Sequence, residues 1–230
     1  MSSERAWDLV LFDLAGTLLE TTPEIMDAVN DTMDSCGLAP VSQEQVNAWI
    51  GRGTRELLAQ ALAWIWQEDI AAVRGSERFA AIEQVFSGHY ARRCGTRSHL
   101  YPHVREVLEE LRAQGVKLVV VTNKESRYTQ AILDMHALTP LFDRVVSGDT
   151  FPARKPDPAG VESCLRDFGT RRERALFVGD SAIDVATARN AGVQVWALPY
   201  GYNMGEPIES CSPDRVIADF SALRASPQTA

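Results

Sequence analysis

Five side chains in this sequence have the types and positions that phosphoryl chemistry uses: Asp13, Thr122, Lys155, Asp180 and Asp184. Asp13 closes the apolar run Leu9-Val10-Leu11-Phe12, and Asp180 closes Ala175-Leu176-Phe177-Val178-Gly179. Apolar runs that each end in an aspartate read as buried strands reaching the same sheet edge, the edge where open α/β folds bind ligands. Asp184 lies one helical turn beyond Asp180. Carboxylates gathered in this way repel one another. A hard divalent cation, Mg²⁺ foremost, held by carboxylates, a carbonyl, water and a substrate phosphate, removes that cost. Thr122 ends the run Lys117-Leu118-Val119-Val120-Val121, and Lys155 sits in the loop Ala153-Arg154-Lys155-Pro156-Asp157-Pro158. A hydroxyl and an ammonium are therefore on hand for phosphoryl oxygens. A carboxylate nucleophile, a metal, a positioning hydroxyl and a cation make up a set for phosphoryl transfer.

The elements that must bring these residues together can be read from the same sequence. The chain has 230 residues, 45% of them hydrophobic, which suffices for one α/β domain carrying an inserted segment. Residues 19–95 read as helical: Ile25, Met26, Val29 and Met33, then Leu57, Leu58, Leu62 and Ile65, recur at helical spacing. Beyond Tyr101 short apolar runs alternate with amphipathic stretches. Strands are predicted at 117–122, 144–147, 175–180, 193–198 and 215–218, and helices near 103–114, 126–136, 158–168 and 182–191. The expected fold is α/β: a Rossmann-like, doubly wound parallel sheet with a helical cap inserted after the first strand. Residues 1–18 and 96–230 would form the core domain and residues 19–95 the cap. The tail from Arg224 is expected to be loose.

Composition narrows the partners. A net charge of −8 argues against a nucleic acid, which a basic surface would recognise. No apolar run approaches the roughly 18–20 residues of a membrane helix, and the N-terminus lacks a basic stretch followed by an apolar one. Cys36, Cys94, Cys164 and Cys211 are far apart, as suits reduced thiols in the cytoplasm. The expectation is a cytoplasmic protein acting on a small phosphorylated metabolite, with no nucleic acid and no membrane partner; the sequence says nothing about oligomeric state.

The segments Asp13-Leu14-Ala15-Gly16-Thr17, Val121-Thr122-Asn123, Lys155-Pro156 and residues 179–192 occur in the order of the four motifs of the haloacid dehalogenase superfamily and resemble them. Residues 49–58, 148–158, 199–209 and 212–223 bear a closer resemblance to bacterial phosphoglycolate phosphatases. The resemblance implies Mg²⁺-dependent hydrolysis of a small phosphate monoester, 2-phosphoglycolate foremost, through an aspartyl-phosphate on Asp13. By it, Thr122 and Lys155 would bind the phosphoryl group. Asp13, the Ala15 carbonyl, Asp180 and Asp184 would form the metal site, and Gly16, Thr17, Gly179 and Ser181 would lie beside the ligand. Arg52, between two glycines in the cap, is either the group that pairs with the far end of the substrate or a surface turn residue. Asn123 and Lys124 either line the entrance or, for Lys124, form a solvated loop charge.

Ala15 departs from the family pattern. The resemblance implies a second aspartate there, which protonates the leaving oxygen and then deprotonates the attacking water. Losing a general acid/base costs roughly 10²- to 10⁴-fold in rate, so turnover is expected to be impaired. Phosphonoacetaldehyde hydrolases carry alanine at this position, but their carbon–phosphorus chemistry needs a cap lysine for a Schiff base. The lysines here are Lys117, Lys124 and Lys155, none within 19–95. An engineered lesion, a slow or redirected enzyme, and a non-catalytic phosphometabolite-binding protein remain open as accounts of Ala15.

Overall fold

The computed structural model describes residues 6–224. In chain order its main elements are β1 (Leu9–Phe12), β2 (Leu19–Glu20), α1 (Thr22–Ser35), α2 (Gln43–Trp49), α3 (Thr54–Trp66), α4 (Ile70–Arg74) and α5 (Glu77–Arg93). There follow β3 (His99–Leu100), α6 (Val104–Ala113), β4 (Lys117–Val121), α7 (Ser126–Met135), β5 (Arg144–Val146) and α8 (Ala159–Phe168). The chain then forms β6 (Ala175–Gly179), α9 (Ala182–Ala191), β7 (Gln194–Ala197) and β8 (Arg215–Val216).

Six strands form one sheet in the order β5-β4-β1-β6-β7-β8, with every neighbouring pair parallel. All of β1 is buried because helices cover both faces. Leu9 and Leu11 pack with Val161 and Cys164 of α8 and Val185 of α9 on one side. Val10 and Phe12 pack with Val107, Leu108 and Leu111 of α6 on the other. Burying such a side chain contributes about 1.5–3 kcal/mol. The order of the strands puts β1 at the point where the sheet reverses direction of growth, toward β4 and β5 on one side and β6 to β8 on the other. Loops leaving β1, β4 and β6 therefore open onto a common crevice.

The segment from α1 to α5 leaves and rejoins the sheet through a two-stranded ribbon, in which Leu19 pairs with Leu100 and Glu20 with His99. The all-helical reading of residues 19–95 is corrected at its start, since Leu19–Glu20 is a strand. A two-residue strand carries no periodicity, and its partner is distant in sequence. Pro23 in the first turn of α1 and the Ser42–Gln45 capping box of α2 mark where the helices begin.

All four cysteines are free, with Cys94 and Cys164 buried. No helix among the described residues is long and apolar enough to cross a membrane. Arg224 pairs with Glu110 at 2.9 Å; the rest of the tail, residues 225–230, lies outside the described residues.

Candidate active site

Backbone pairing extends one residue past two of the central strands and fixes what stands there. The Asp13 N–H donates to the Val178 carbonyl at 3.0 Å, and the Thr122 N–H donates to the Val146 carbonyl at 2.9 Å. Asp180 follows β6 directly. Asp184 sits in the first turn of α9, where Ser181 and Asp184 form a capping box. The backbone N–H groups of Asp180 and Ser181 donate to Asp184 Oδ2 at 3.1 Å, and the Ser181 hydroxyl donates to it at 2.7 Å.

Lys155 closes the group from the far loop. Its Nζ donates to Asp13 Oδ1 at 2.7 Å and to Asp184 Oδ1 at 2.6 Å, with only 5% of its side chain exposed. Asp180 is held separately: the Thr17 hydroxyl donates to Oδ1 at 2.5 Å and the Tyr202 N–H to Oδ2 at 2.7 Å. Burial pushes the Asp13 carboxyl above its ordinary value of 3.8, with Lys155 pulling it down and Asp184 pushing it further up. Burial and the neighbouring Asp184 and Asp13 push Asp180 up more strongly. Burial alone would lower the Lys155 ammonium, but Asp13 and Asp184 bring the net shift upward.

Asp13, Asp180 and Asp184 each offer an oxygen within 4.8 Å of the others. With all three ionised, one lysine leaves a local excess of two negative charges, which a divalent cation with oxygen ligands would neutralise. These residues fit such an ion in charge, donor type and spacing.

Gly16 makes the crowding possible. It adopts φ +89°, and a β-carbon there would stand 2.3 Å from Asp180 Oδ2 and 2.8 Å from Tyr202 Cδ2. Gly16→Ala is expected to lower the free energy of unfolding by about 2 kcal/mol or more, through strain and displacement of Asp180. Urea unfolding checks this; an unchanged midpoint would contradict it.

Asp13, Ala15, Thr122, Asn123 and Lys124 line a cleft of about 40 Å³, closed from the other side by Ile25, Ile50, Gly51, Gly53, Thr54 and Leu57. Asn123 ties the two sides together, its Nδ2 donating to the carbonyls of Gly51 and Lys155, each at 3.1 Å. Thr54 adds a second tie, its hydroxyl donating to Glu125 at 2.8 Å. Lys124 is buried with its ammonium on the Tyr90 hydroxyl of α5, so it is not a solvated loop charge. Lys117, by contrast, is 49% exposed at the start of β4 and pairs with Asp143. Thr17 is fully buried behind Asp180. The structure does not bring Arg52 into the cleft. Arg52 is exposed and lines a separate depression of about 210 Å³ with Arg55, Glu56, Arg74 and Arg154.

Two contributors were not singled out from the sequence. Tyr202 supplies the N–H that holds Asp180, and its hydroxyl accepts from the N–H groups of Thr21 and Thr22 at the entry to α1. Tyr90 aims Lys124. Tyr202 lies in the loop that follows β7 at the binding edge of the sheet, a position that could have marked it; nothing in the sequence around Tyr90 links it to Lys124.

A parallel sheet with a carboxylate cluster, a lysine and a threonine at its binding edge defines an α/β hydrolase of the phosphoryl-transfer type. The family model for haloacid dehalogenase-like hydrolases matches residues 10–198. The chain belongs to that family, and its relatives place it among the family's phosphoric monoester hydrolases. A phosphoglycolate phosphatase of Aliivibrio fischeri is 40% identical over 219 residues, covering 94% of this chain and 95% of that one. The phosphoglycolate phosphatase of Vibrio cholerae is 38% identical over 215 residues, covering 94% of each chain. A crystal structure from Haemophilus somnus 129PT, described as a predicted phosphoglycolate phosphatase, superposes with a TM-score of 0.90 at 34% identity, covering 96% of this chain and 98% of that one.

Proposed function

We propose that this chain is a Mg²⁺-dependent phosphatase of small monoesters, 2-phosphoglycolate foremost, working through an aspartyl-phosphate on Asp13, with its rate held down by Ala15. The observation that carries the reading is that Asp13 alone belongs both to the three-carboxylate cluster and to the lining of the cleft. An ester phosphoryl group in the cleft would meet the Asp13 carboxylate with Thr122 beside it and the Lys155 ammonium behind it. An Asp13 oxygen attacks phosphorus, the ester P–O bond breaks, and the leaving alkoxide takes up a proton. Water then attacks the same phosphorus, gives up a proton, releases inorganic phosphate and restores the carboxylate. Thr122 orients the phosphoryl oxygens, and Lys155 balances the negative charge that builds on them.

Asp13, Asp180, Asp184 and the carbonyl of Ala15 would hold the Mg²⁺. The bound ion supplies charge neutralisation at the phosphoryl oxygens. Residues 19–95 serve as a cap over a core made of residues 1–18 and 96–230, and the closed cleft keeps bulk water from the reacting atoms. The protein works in the cytoplasm on a small phosphorylated metabolite.

The cation has a measurable signature apart from turnover. The folded chain keeps protons on Asp13 and Asp180 that the unfolded chain gives up near pH 4, because both carboxyls are raised in the fold. The stability they contribute is full below the unfolded value and is lost as pH rises through the folded values. A bound divalent cation displaces those protons, so its stabilising effect grows as pH rises over the same range. At a hundredfold excess over Kd the ion contributes about 2.7 kcal/mol, or roughly 5–10 °C in Tm for a chain of this size. Thermal melts with Mg²⁺ and with EDTA at pH 5 and pH 7.5 check this. An equal shift in Asp180→Asn would sink the assignment.

A second reading, a phosphometabolite-binding protein without turnover, is favoured by Ala15, since no carboxylate besides Asp13 lines the cleft among the described residues. The carbon–phosphorus reading gains nothing: no lysine lies within residues 19–95. Steady-state phosphate release from 2-phosphoglycolate and a small ester panel separates the readings. Turnover, even slow, supports the phosphatase; tight binding with no release, persisting in Ala15→Asp, supports the binding protein.

A further inference from the structure

Lys124 is a buried cation with no anion against it. It is 6% exposed, and among the described residues no carboxylate lies within ion-pair distance of its ammonium. Its recorded side-chain partner is the Tyr90 hydroxyl at 2.5 Å, which leaves N–H donors of the ammonium without a protein acceptor. Buried lysines are rare unless paired. Neither nearby carboxylate pairs with Lys124. Glu125 accepts from Thr54 and pairs with Arg154 at 3.7 Å, and Glu24 accepts from the N–H groups of Arg97 and Ser98 through Oε2, while its Oε1 is buried without a hydrogen-bond partner and lies outside ion-pair distance of Lys124.

The position of this cation is tied to the phosphoryl site. The Lys124 N–H donates to Thr122 Oγ1 at 3.3 Å, so one turn after β4 places both residues, and both line the cleft that Asp13 lines. Arg52, the other cation in view for the far end of a substrate, lines a different depression. Resting on the phosphatase reading above, we infer that the Lys124 ammonium, aimed by the Tyr90 hydroxyl, is the counter-ion for a carboxylate at the end of the substrate away from phosphorus. The substrate class is then the phosphate esters of short hydroxy acids. Asp13 and Lys124 line the same cleft, so phosphorus and carboxylate belong to one small ligand. Because Tyr90 belongs to α5 and Lys124 to the sheet side, the carboxylate site is complete only when the two sides are together.

The test is equilibrium titration of 2-phosphoglycolate and of ethyl phosphate, which has no carboxylate, into the full chain with Mg²⁺ present. The unsubstituted chain is expected to prefer 2-phosphoglycolate by tenfold or more in Kd. Lys124→Met should remove most of that preference, and Tyr90→Phe a smaller part of it. Equal affinity of the unsubstituted chain for the two esters overturns the inference without any variant. So does a Lys124→Met protein that keeps the preference, whether its two affinities hold or fall together, the latter marking a purely structural lysine. If neither ester binds the unsubstituted chain, the phosphatase reading itself fails, and this inference with it.

Discussion

Ala15→Asp is expected to raise the rate of phosphate release from 2-phosphoglycolate by at least tenfold. Ala15 lines the cleft two residues after Asp13, so a carboxylate there reaches the space in which the leaving oxygen and the attacking water would stand. Neither Thr122 nor Thr54, which also line it, titrates near neutral pH, and Lys124 is engaged with Tyr90. Without a donor the alkoxide must leave unprotonated, and the absent general acid/base corresponds to roughly 3–5 kcal/mol of barrier. The backbone of Ala15 is already set, bridging to Leu19, so the substitution adds a function without asking the loop to refold. Steady-state phosphate assays on the two proteins decide the matter. Equal rates would mean that another group carries the proton and that Ala15 is no brake.

Asp13→Asn, made in the Ala15→Asp background to keep the signal measurable, is expected to lower phosphate release by at least about 10³-fold, the scale of losing a nucleophile. Its stability should move the other way or not at all. Asp13 is a buried carboxylate beside another carboxylate, and an amide there relieves repulsion while Lys155 keeps its bond to Asp184. Opposite movement of rate and melting temperature separates a chemical role from a structural one. Turnover that survives the substitution would show that water attacks phosphorus directly and that no aspartyl-phosphate forms.

The centre of the molecule was legible in the sequence because its signals are strong. The runs at Leu9, Lys117 and Ala175 are apolar and buried on both faces, and each became a central strand. The helix predicted at 182–191 became α9 with those bounds, since Ser181 caps one end and Gly192 closes the other. The outer strands were shorter than expected: 215–218 shrank to Arg215–Val216. Edge strands have one partner fewer to hold their ends. At the site, the meeting of Asp13, Asp180 and Asp184 followed from two strand ends and the helical turn after the second. The reach of Lys155 to both Asp13 and Asp184 did not, because a loop's path is set by tertiary packing. For the same reason the sequence left Arg52 and Lys124 each with two readings: what separates them is the burial of Lys124 against a tyrosine from a helix distant in sequence, while Arg52 faces a different depression.

The uneven exposure of the lysines gives amine chemistry a single side-chain address. Of the three, Lys124 is buried and lines the cleft, Lys155 is clamped between Asp13 and Asp184 with 5% of its side chain exposed, and Lys117 stands 49% exposed at the opposite end of β4 from Thr122. Five strand residues separate the two ends of β4, roughly 17 Å. A fluorophore or surface linker carried on an amine-reactive ester would attach among side chains at Lys117, leaving the protein anchored by the base of its sheet with the cleft facing away from the support.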